Sequence, residues 1–384
     1  MPETTVATTA TAATTFTWLD TVDAAFAAML VAIRAATRSV RLEFYIFEAS
    51  PIGDAFRDAL VQACQRGVPV QVLIDAWGSP NLSDDYWRPF IAAGGKFRWF
   101  NPFNLSRFGI RNHRKLLVCD DRTAFVGGFN IAPEYQGDGV TRGWRDLGLR
   151  LDGDLALELG TTFDELFNRA ELRLLSFNRL LKLVQPGAPQ PPAGDLLLTG
   201  PGFGKNLYRT ALARDLNHAR EVQIISAYFL PSWRIRRALA KVARSGGKVQ
   251  LILAGRSDVG LAQLAARSFY QRLLRTGVEI YEYQPQILHA KSVRIDDAVY
   301  VGSANLDTRS LHINYELMIR VQDRALAAVA EQSFQRDLTR CRRIDPANWP
   351  HSRSFLDKLK ERIACFLLAR VDPYIARRQM RNLR

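Results

Sequence analysis

The chain has 384 residues, enough for two domains with sizeable cores, and an apolar content ordinary for a globular protein. Its formal net charge of +14 excludes a neutral surface and favours a polyanionic partner, either nucleic acid or an anionic membrane. The four cysteines, Cys64, Cys119, Cys341 and Cys365, form no C-x-x-C pair. That argues against structural zinc and for packed, reduced thiols in a reducing compartment.

From the start, residues 1–15 are rich in Thr and Ala, without a basic opening or an apolar core. They read as a disordered leader rather than a secretory signal. No run of eighteen apolar residues exists, so no membrane-spanning helix is expected. The pattern then predicts a helix over 17–36, a strand over 40–47, a helix over 53–66 and a strand over 68–75. A helix over 86–93 and a strand over 96–100 follow. The second half repeats this order: helix 207–219, strand 222–229, helix 232–244, strand 248–253, helix 261–275, strand 278–283. Strands alternating with helices argue an α/β fold, and the long-period repeat argues two similar domains, placed at 16–184 and 196–345. Between them, 185–195 is a Pro/Gly-rich linker that suits neither helix nor strand.

The tail, 346–384, is different. From His351 on it carries nine Lys/Arg against three acids, with apolar residues from Phe355 to Leu368 at helical spacing. That is the signature of a basic amphipathic helix, made either for a membrane surface or for capping the second domain.

The repeat contains one duplicated block. His113-Arg114-Lys115-Leu116-Leu117-Val118-Cys119-Asp120 recurs as His289-Ala290-Lys291-Ser292-Val293-Arg294-Ile295-Asp296, both H-x-K-x4-D, and each runs on to an Asn, Asn130 or Asn305. In a strand, alternate residues share a face, so the His and Lys of each block point the same way. An Asp-Asp turn and a second apolar strand complete a hairpin, and a small-residue turn delivers the Asn. Each copy thus sets an imidazole, an ammonium and a carboxamide near one rim, a set that suits a phosphodiester. Two of only five histidines open the blocks. His218 and His351 receive no role, and His312 is a weaker candidate for approaching the site. Trp77, Trp99 and Trp144 are candidates for lining a groove, and Tyr45 and Tyr228 for facing the site.

The two blocks resemble the HKD motifs of the phospholipase D superfamily, over roughly residues 16–345. Within it the chain is most similar to bacterial cardiolipin synthases of the short type, on its overall arrangement, on Leu42-Glu43-Phe44-Tyr45-Ile46-Phe47 and on the basic tail. The resemblance implies two α/β/α sandwich domains related by a pseudo-two-fold axis, with one shared active site. It implies His113 as nucleophile, forming a phosphohistidine, and His289 as acid and then base, the reverse assignment staying open. Lys115, Lys291, Asn130, Ser303 and Asn305 would bind the phosphate oxygens. Asp146 and Glu316 would orient the histidines. Asp120 and Asp296 complete the catalytic motif, although their place at strand ends favours a structural role. One departure is Gly127-Gly128 where the second copy has Gly302-Ser303, so one hydroxyl contact is missing. The scheme requires no metal and no cofactor. It implies an anionic phospholipid substrate and peripheral attachment at the cytoplasmic face of the bacterial inner membrane. The readings are a cardiolipin synthase-like phosphatidyltransferase, a phospholipase D using water, and a nuclease. Nucleic acid is the less favoured partner, because no aromatic-basic stripe accompanies the charge. The sequence sets no oligomeric state.

Overall fold

The computed structural model describes residues 8–11, 14–102, 109–170, 194–201 and 206–371. Its first half builds a sheet from β1 (Thr8–Thr11), β2 (Thr14–Leu19), β3 (Val40–Phe44), β4 (Val70–Asp75), β5 (Lys96–Phe100), β6 (Leu116–Cys119), β7 (Thr123–Gly127) and β8 (Gly148–Gly153). Its helices are α1 (Val22–Ala35), α2 (Pro51–Gln65), α3 (Arg88–Ala92) and α4 (Asp154–Ala170). The second half supplies β9 (Asp195–Thr199), β10 (Glu221–Ser226), β11 (Lys248–Ala254), β12 (Glu279–Tyr283), β13 (Lys291–Ile295), β14 (Ala298–Gly302), β15 (Glu316–Gln322) and β16 (Cys341–Arg343). Its helices are α5 (Leu207–Leu216), α6 (Trp233–Arg244), α7 (Gly260–Arg267), α8 (Tyr270–Leu274), α9 (Thr308–His312), α10 (Arg324–Leu338) and α11 (Phe355–Phe366).

The strand orders are β1-β2-β8-β7-β6-β3-β4-β5 and β9-β15-β14-β13-β10-β11-β12-β16. Seven strands correspond one to one, and in both sheets only the three β-α-β strands are parallel. These are the two similar mixed α/β domains that the repeat implies.

Side-chain alternation explains how they join. In β6, Leu117 and Cys119 enter an outer core with α1 and α2, whereas Leu116 and Val118 enter a core shared by both sheets. Val299 and Val301 of β14, and Leu317 and Ile319 of β15, reach that shared core from the other side. Leu159 and Phe163 of α4 and Leu326 and Phe334 of α10 fill it. Strands covered on both faces read as continuous apolar runs, as these do.

Caps set the helix starts. The Ser50 hydroxyl accepts from Gly53 N ahead of Pro51, and Ser354 and Asp357 form a capping box on α11. The hairpin turns bend at Asp120, Asp121 and Asp296, all with left-handed φ near 50–60°, a conformation aspartate tolerates better than most side chains.

Three expectations change. Thr8–Thr11 and Thr14–Leu19 are paired strands at a sheet edge, so the leader is not wholly unstructured. The Thr-rich run is β-branched, which favours a strand, and Phe16 and Trp18 alternate into the shared core. For the same reason the first helix begins at Val22, capped by Thr21, not at Thr17. The 261–275 helix is two, α7 and α8. Most of the 185–195 stretch lies outside the described residues, although its last residue, Asp195, opens β9. The tail's residues 372–384 also lie outside them.

Candidate active site

Each motif histidine sits just before the first strand of its hairpin, and each is stitched to the other half. His113 N donates to Tyr315 O at 2.9 Å, and Tyr315 N donates to Arg111 O at 2.9 Å. On the symmetric side, His289 N donates to Arg145 O at 2.8 Å, and Arg145 N to Ile287 O at 2.8 Å. The residue after each bridging strand residue is an acid. The carboxylates therefore cross over: Glu316 Oε2 lies 2.9 Å from His113 Nδ1, and Asp146 Oδ2 lies 2.7 Å from His289 Nδ1. Chain order suggests pairing within each half, and the structure does the opposite. The Nδ1 atom of each ring is thus engaged by a carboxylate of the other half.

The missing hydroxyl now has a physical account. In the second half, Leu317 N donates to Ser303 Oγ at 3.0 Å, and Ser303 Oγ donates to Glu316 Oε2 at 2.6 Å. In the first half, Leu147 N donates directly to Asp146 Oδ1 at 2.8 Å. A Cβ on Gly128 would lie 2.4 Å from that oxygen. The shorter acid fills the space that the serine occupies opposite.

Lys115 and Lys291 are almost fully buried. Lys115 Nζ donates to His113 O at 2.7 Å and lies 5.1 Å above the Tyr45 ring. Lys291 Nζ donates to His289 O and lies 2.8 Å from His289 Nδ1. Asn130 Oδ1 accepts from Ile46 N, and Asn305 Oδ1 from Tyr228 N, equivalent contacts in the two halves. Tyr45 packs edge-on to His113 with ring centres 4.9 Å apart, and Trp144 lies 5.6 Å from His289. Trp99 instead packs on Phe97 and donates to Asp84, and Trp77 lies beneath Arg111. His312 is the last residue of α9.

Asp120 and Asp296 are not brought to the imidazoles. Asp120 accepts from the backbone of Thr37, Arg38 and Ser39, and Asp296 from Arg220 and Glu221. They sit at the turn end of their hairpins, seven residues beyond each histidine, roughly 23 Å along an extended chain at 3.3 Å per residue, where they tie backbone amides rather than an imidazole.

Three features escaped the sequence reading. Tyr135 OH accepts from Asn130 Nδ2 at 2.7 Å and lies 3.4 Å from His289 Nε2, leaving its proton free to point at that nitrogen. Its position five residues after Asn130 is matched in the other half by Ser310, so this contact is one-sided. Asp75 Oδ2 accepts from Asn112 N, and Glu43 accepts from Asn112 Nδ2 and pairs with Arg114 at 3.1 Å. His113 is thus clamped from both neighbours. Arg145, besides holding His289, pairs its buried guanidinium with Asp337 across the domains and with Asp20.

Electrostatics follow from burial. Burial, opposed by Glu316 and reinforced by Lys115, pushes His113 down to about 4. Burial and then Lys291 push His289 down. Burial outweighs the neighbouring carboxylates and takes Lys291 down to about 8, and Lys115 well below its ordinary value. Burial raises Asp146, but Lys291 and His289 outweigh it, so this carboxyl lies below its ordinary range. Burial lifts Asp75 to about 7 against the pull of its amide donors. The neutral forms of both imidazoles are favoured until a negative charge arrives. Among the described residues no group of three or more His, Cys, Asp or Glu is arranged to hold a metal ion.

Paired HKD hairpins on twin α/β domains define an enzyme of the phospholipase D superfamily, a phosphatidyltransferase. The chain belongs to the cardiolipin synthase, PLD-like domain family, which matches residues 29–138 and 212–338. It is 30% identical to a probable cardiolipin synthase, YwiE, of Bacillus subtilis, covering 88% of this chain and 69% of that one. It is 32% identical to cardiolipin synthase B of Salmonella typhimurium, covering 86% and 82%. Among solved structures, the phosphatidylserine synthase of Haemophilus influenzae superposes with a TM-score of 0.74 at 15% identity, covering 94% of this chain and 95% of that one. At that identity it speaks for the fold alone.

Proposed function

We propose that the protein transfers a phosphatidyl group from one phosphatidylglycerol to the hydroxyl of another, through a phosphohistidine on His113. The crossed pairing of imidazoles and carboxylates carries this reading, because each ring is oriented by the opposite half and Lys291 of the second motif acts electrostatically on His113 of the first. His113 Nε2 attacks phosphorus, and the P–O bond to the leaving glycerol breaks. His289 Nε2–H gives that oxygen its proton. A second lipid then enters, His289 takes its hydroxyl proton, the oxygen attacks phosphorus and the P–N bond breaks. Cardiolipin and glycerol are the balanced products. The one-sided Tyr135 contact favours His289 as proton carrier, since a hydroxyl on Nε2 suits proton exchange and would obstruct attack. Lys115, Lys291, Asn130 and Asn305 hold the non-bridging oxygens, and Asp146 and Glu316 stabilise the imidazolium forms. The negative charge of a phosphodiester raises the pKa of both histidines and both lysines, so substrate supplies the protonated acid that the reaction needs.

Among the described residues no helix is long and apolar enough to cross a membrane. We infer peripheral attachment, at the cytoplasmic face of the inner membrane, where anionic lipid meets the basic surface.

Incubating the protein with phosphatidylglycerol vesicles, and separately with labelled DNA, tests this. Cardiolipin with released glycerol supports transfer. Phosphatidic acid alone moves the protein to hydrolysis, and DNA cleavage alone sinks the lipid reading. His113→Ala and His289→Ala each abolish turnover, and acid-labile phosphate on His113 in quenched samples identifies the nucleophile.

A further inference from the structure

The helix α11 lies the wrong way out for a capping element. Its buried side is narrow: Glu361 and Ala364 face the domain, with Cys365 and Leu368 against a small cluster of Leu230 and Ala265. Its large apolar residues face solvent instead. Phe355 is 78% exposed, Leu356 63%, Ile363 50% and Phe366 60%, with Leu359 and Leu367 also exposed. At 100° per residue these six fall in one stripe roughly 120° wide, bordered by Lys358 and Arg362 on one side and Lys360 on the other.

Beside the stripe is a hollow of about 500 Å³ between α8 and α11, within the size of small-molecule sites. Arg272, Arg275 and Arg362 line it, with Phe269 and Phe366. Among the described residues no carboxylate lines it. Glu361, the nearest acid on α11's inner side, is occupied by Arg353. A fourth guanidinium, Arg236, lies over the Phe269 ring at 4.4 Å, and its pKa is lowered by burial and then by Arg272. Among the described residues, like charges are gathered here with no counter-charge in the lining. The hollow shares no residue with the two HKD hairpins.

We propose that this hollow binds the phosphate of an anionic phospholipid outside the catalytic centre, while the outward stripe of α11 lies in the membrane interface and receives its acyl chains. Charge complementarity selects the occupant: guanidiniums match phosphate oxygens in bidentate geometry, and an apolar stripe flanked by cations is what a lipid–water boundary accommodates. A soluble anion would satisfy the arginines and leave six apolar side chains in water. The site docks the enzyme on the surface that holds its substrates, and in that sense it rests on the phosphatidyltransferase reading.

Sedimentation of the full chain with sucrose-loaded vesicles of phosphatidylglycerol or phosphatidylcholine measures binding without turnover. Wild type binds the phosphatidylglycerol vesicles preferentially. Replacing Arg272, Arg275 and Arg362 together by Gln weakens that binding at least tenfold, and by roughly 100-fold if each cation contributes about fivefold. Ile363→Ser with Phe366→Ser weakens binding to both vesicle types, since only the apolar insertion is lost. Turnover of a monomeric short-chain phosphatidylglycerol stays at the wild-type rate in both variants, because the catalytic centre is untouched. Unchanged vesicle binding by the arginine variant overturns the proposal. So does a dimer that the serine variant dissociates while vesicle binding persists, which assigns the stripe to a second copy. A chain that binds vesicles as stated but makes no cardiolipin overturns the enzymatic reading and leaves the docking site standing.

Discussion

Replacing Gly128 by serine makes the first half look like the second, where Gly302-Ser303 stands, and by sequence symmetry should be harmless. The structure says otherwise. The added Cβ would lie 2.4 Å from Asp146 Oδ1 and 2.8 Å from Oδ2, whereas ordinary contact begins near 3.4 Å. The carboxylate must therefore retreat by roughly 1 Å, a displacement that at a catalytic group costs about 10²-fold in rate. Its 2.7 Å contact with His289 Nδ1 and its 2.8 Å bond from Leu147 N cannot both survive. Overpacking at this buried site adds about 1–3 kcal/mol of destabilisation. We expect Gly128→Ser to lower kcat for cardiolipin formation about 100-fold with little change in KM, read by lipid mass analysis beside a thermal melt. The reciprocal Ser303→Gly opens space rather than closing it. It removes one donor from Glu316 and one acceptor from Leu317 N, a cost of about 1–3 kcal/mol. A Gly128→Ser enzyme with wild-type kcat would refute the idea that a missing side chain sets the position of Asp146.

Asp120→Asn keeps kcat within about twofold and lowers Tm by a few degrees, because it weakens a backbone tie and touches no imidazole; a large fall in kcat without loss of Tm contradicts this. Tyr135→Phe lowers kcat about tenfold and shifts the acidic limb of its pH profile, since His289 loses its hydroxyl neighbour; an unchanged profile removes Tyr135 from the proton path. His113 titrates near 6.5 when unfolded and at about 4 in the native protein. Over that window the unfolded chain binds the extra proton, so stability present above pH 6.5 is lost as pH falls towards 4. At 1.36 kcal/mol per unit this is about 3 kcal/mol, and urea unfolding at several pH values should find it in wild type and not in His113→Gln. Parallel stability curves for the two proteins would count against a buried neutral imidazole.

Much of this was legible in the sequence because repetition is a strong signal. The H-x-K-x4-D blocks marked the imidazoles and ammoniums that the two hairpins carry, and the apolar runs with Gly and Pro breaks located most inner strands and helices. The departure at Gly128 was also visible, as a hydroxyl absent from one side. The partner of each histidine was not, because chain order puts Asp146 after His113 and Glu316 after His289. Only the cross-domain strand bridges at Tyr315 and Arg145 reverse that pairing. Tyr135 was hidden for a related reason: it belongs to the first half and serves the second. Trp18 was assigned to a helix because a short apolar stretch fits either periodicity. For Asp120 and Asp296, strand-end position pointed to the backbone ties they make.

The exchange of carboxylates has a consequence for the chain as a whole. A fragment ending before residue 171 would keep His113 and Asp146, yet neither would meet its complement, and the same holds for a fragment starting at residue 194. Activity regained by mixing the two pieces should rise with the product of their concentrations. Covalent linkage replaces that chance encounter with a standing one. Neither half is free to drift alone, since a change to the acid in one is felt by the imidazole in the other.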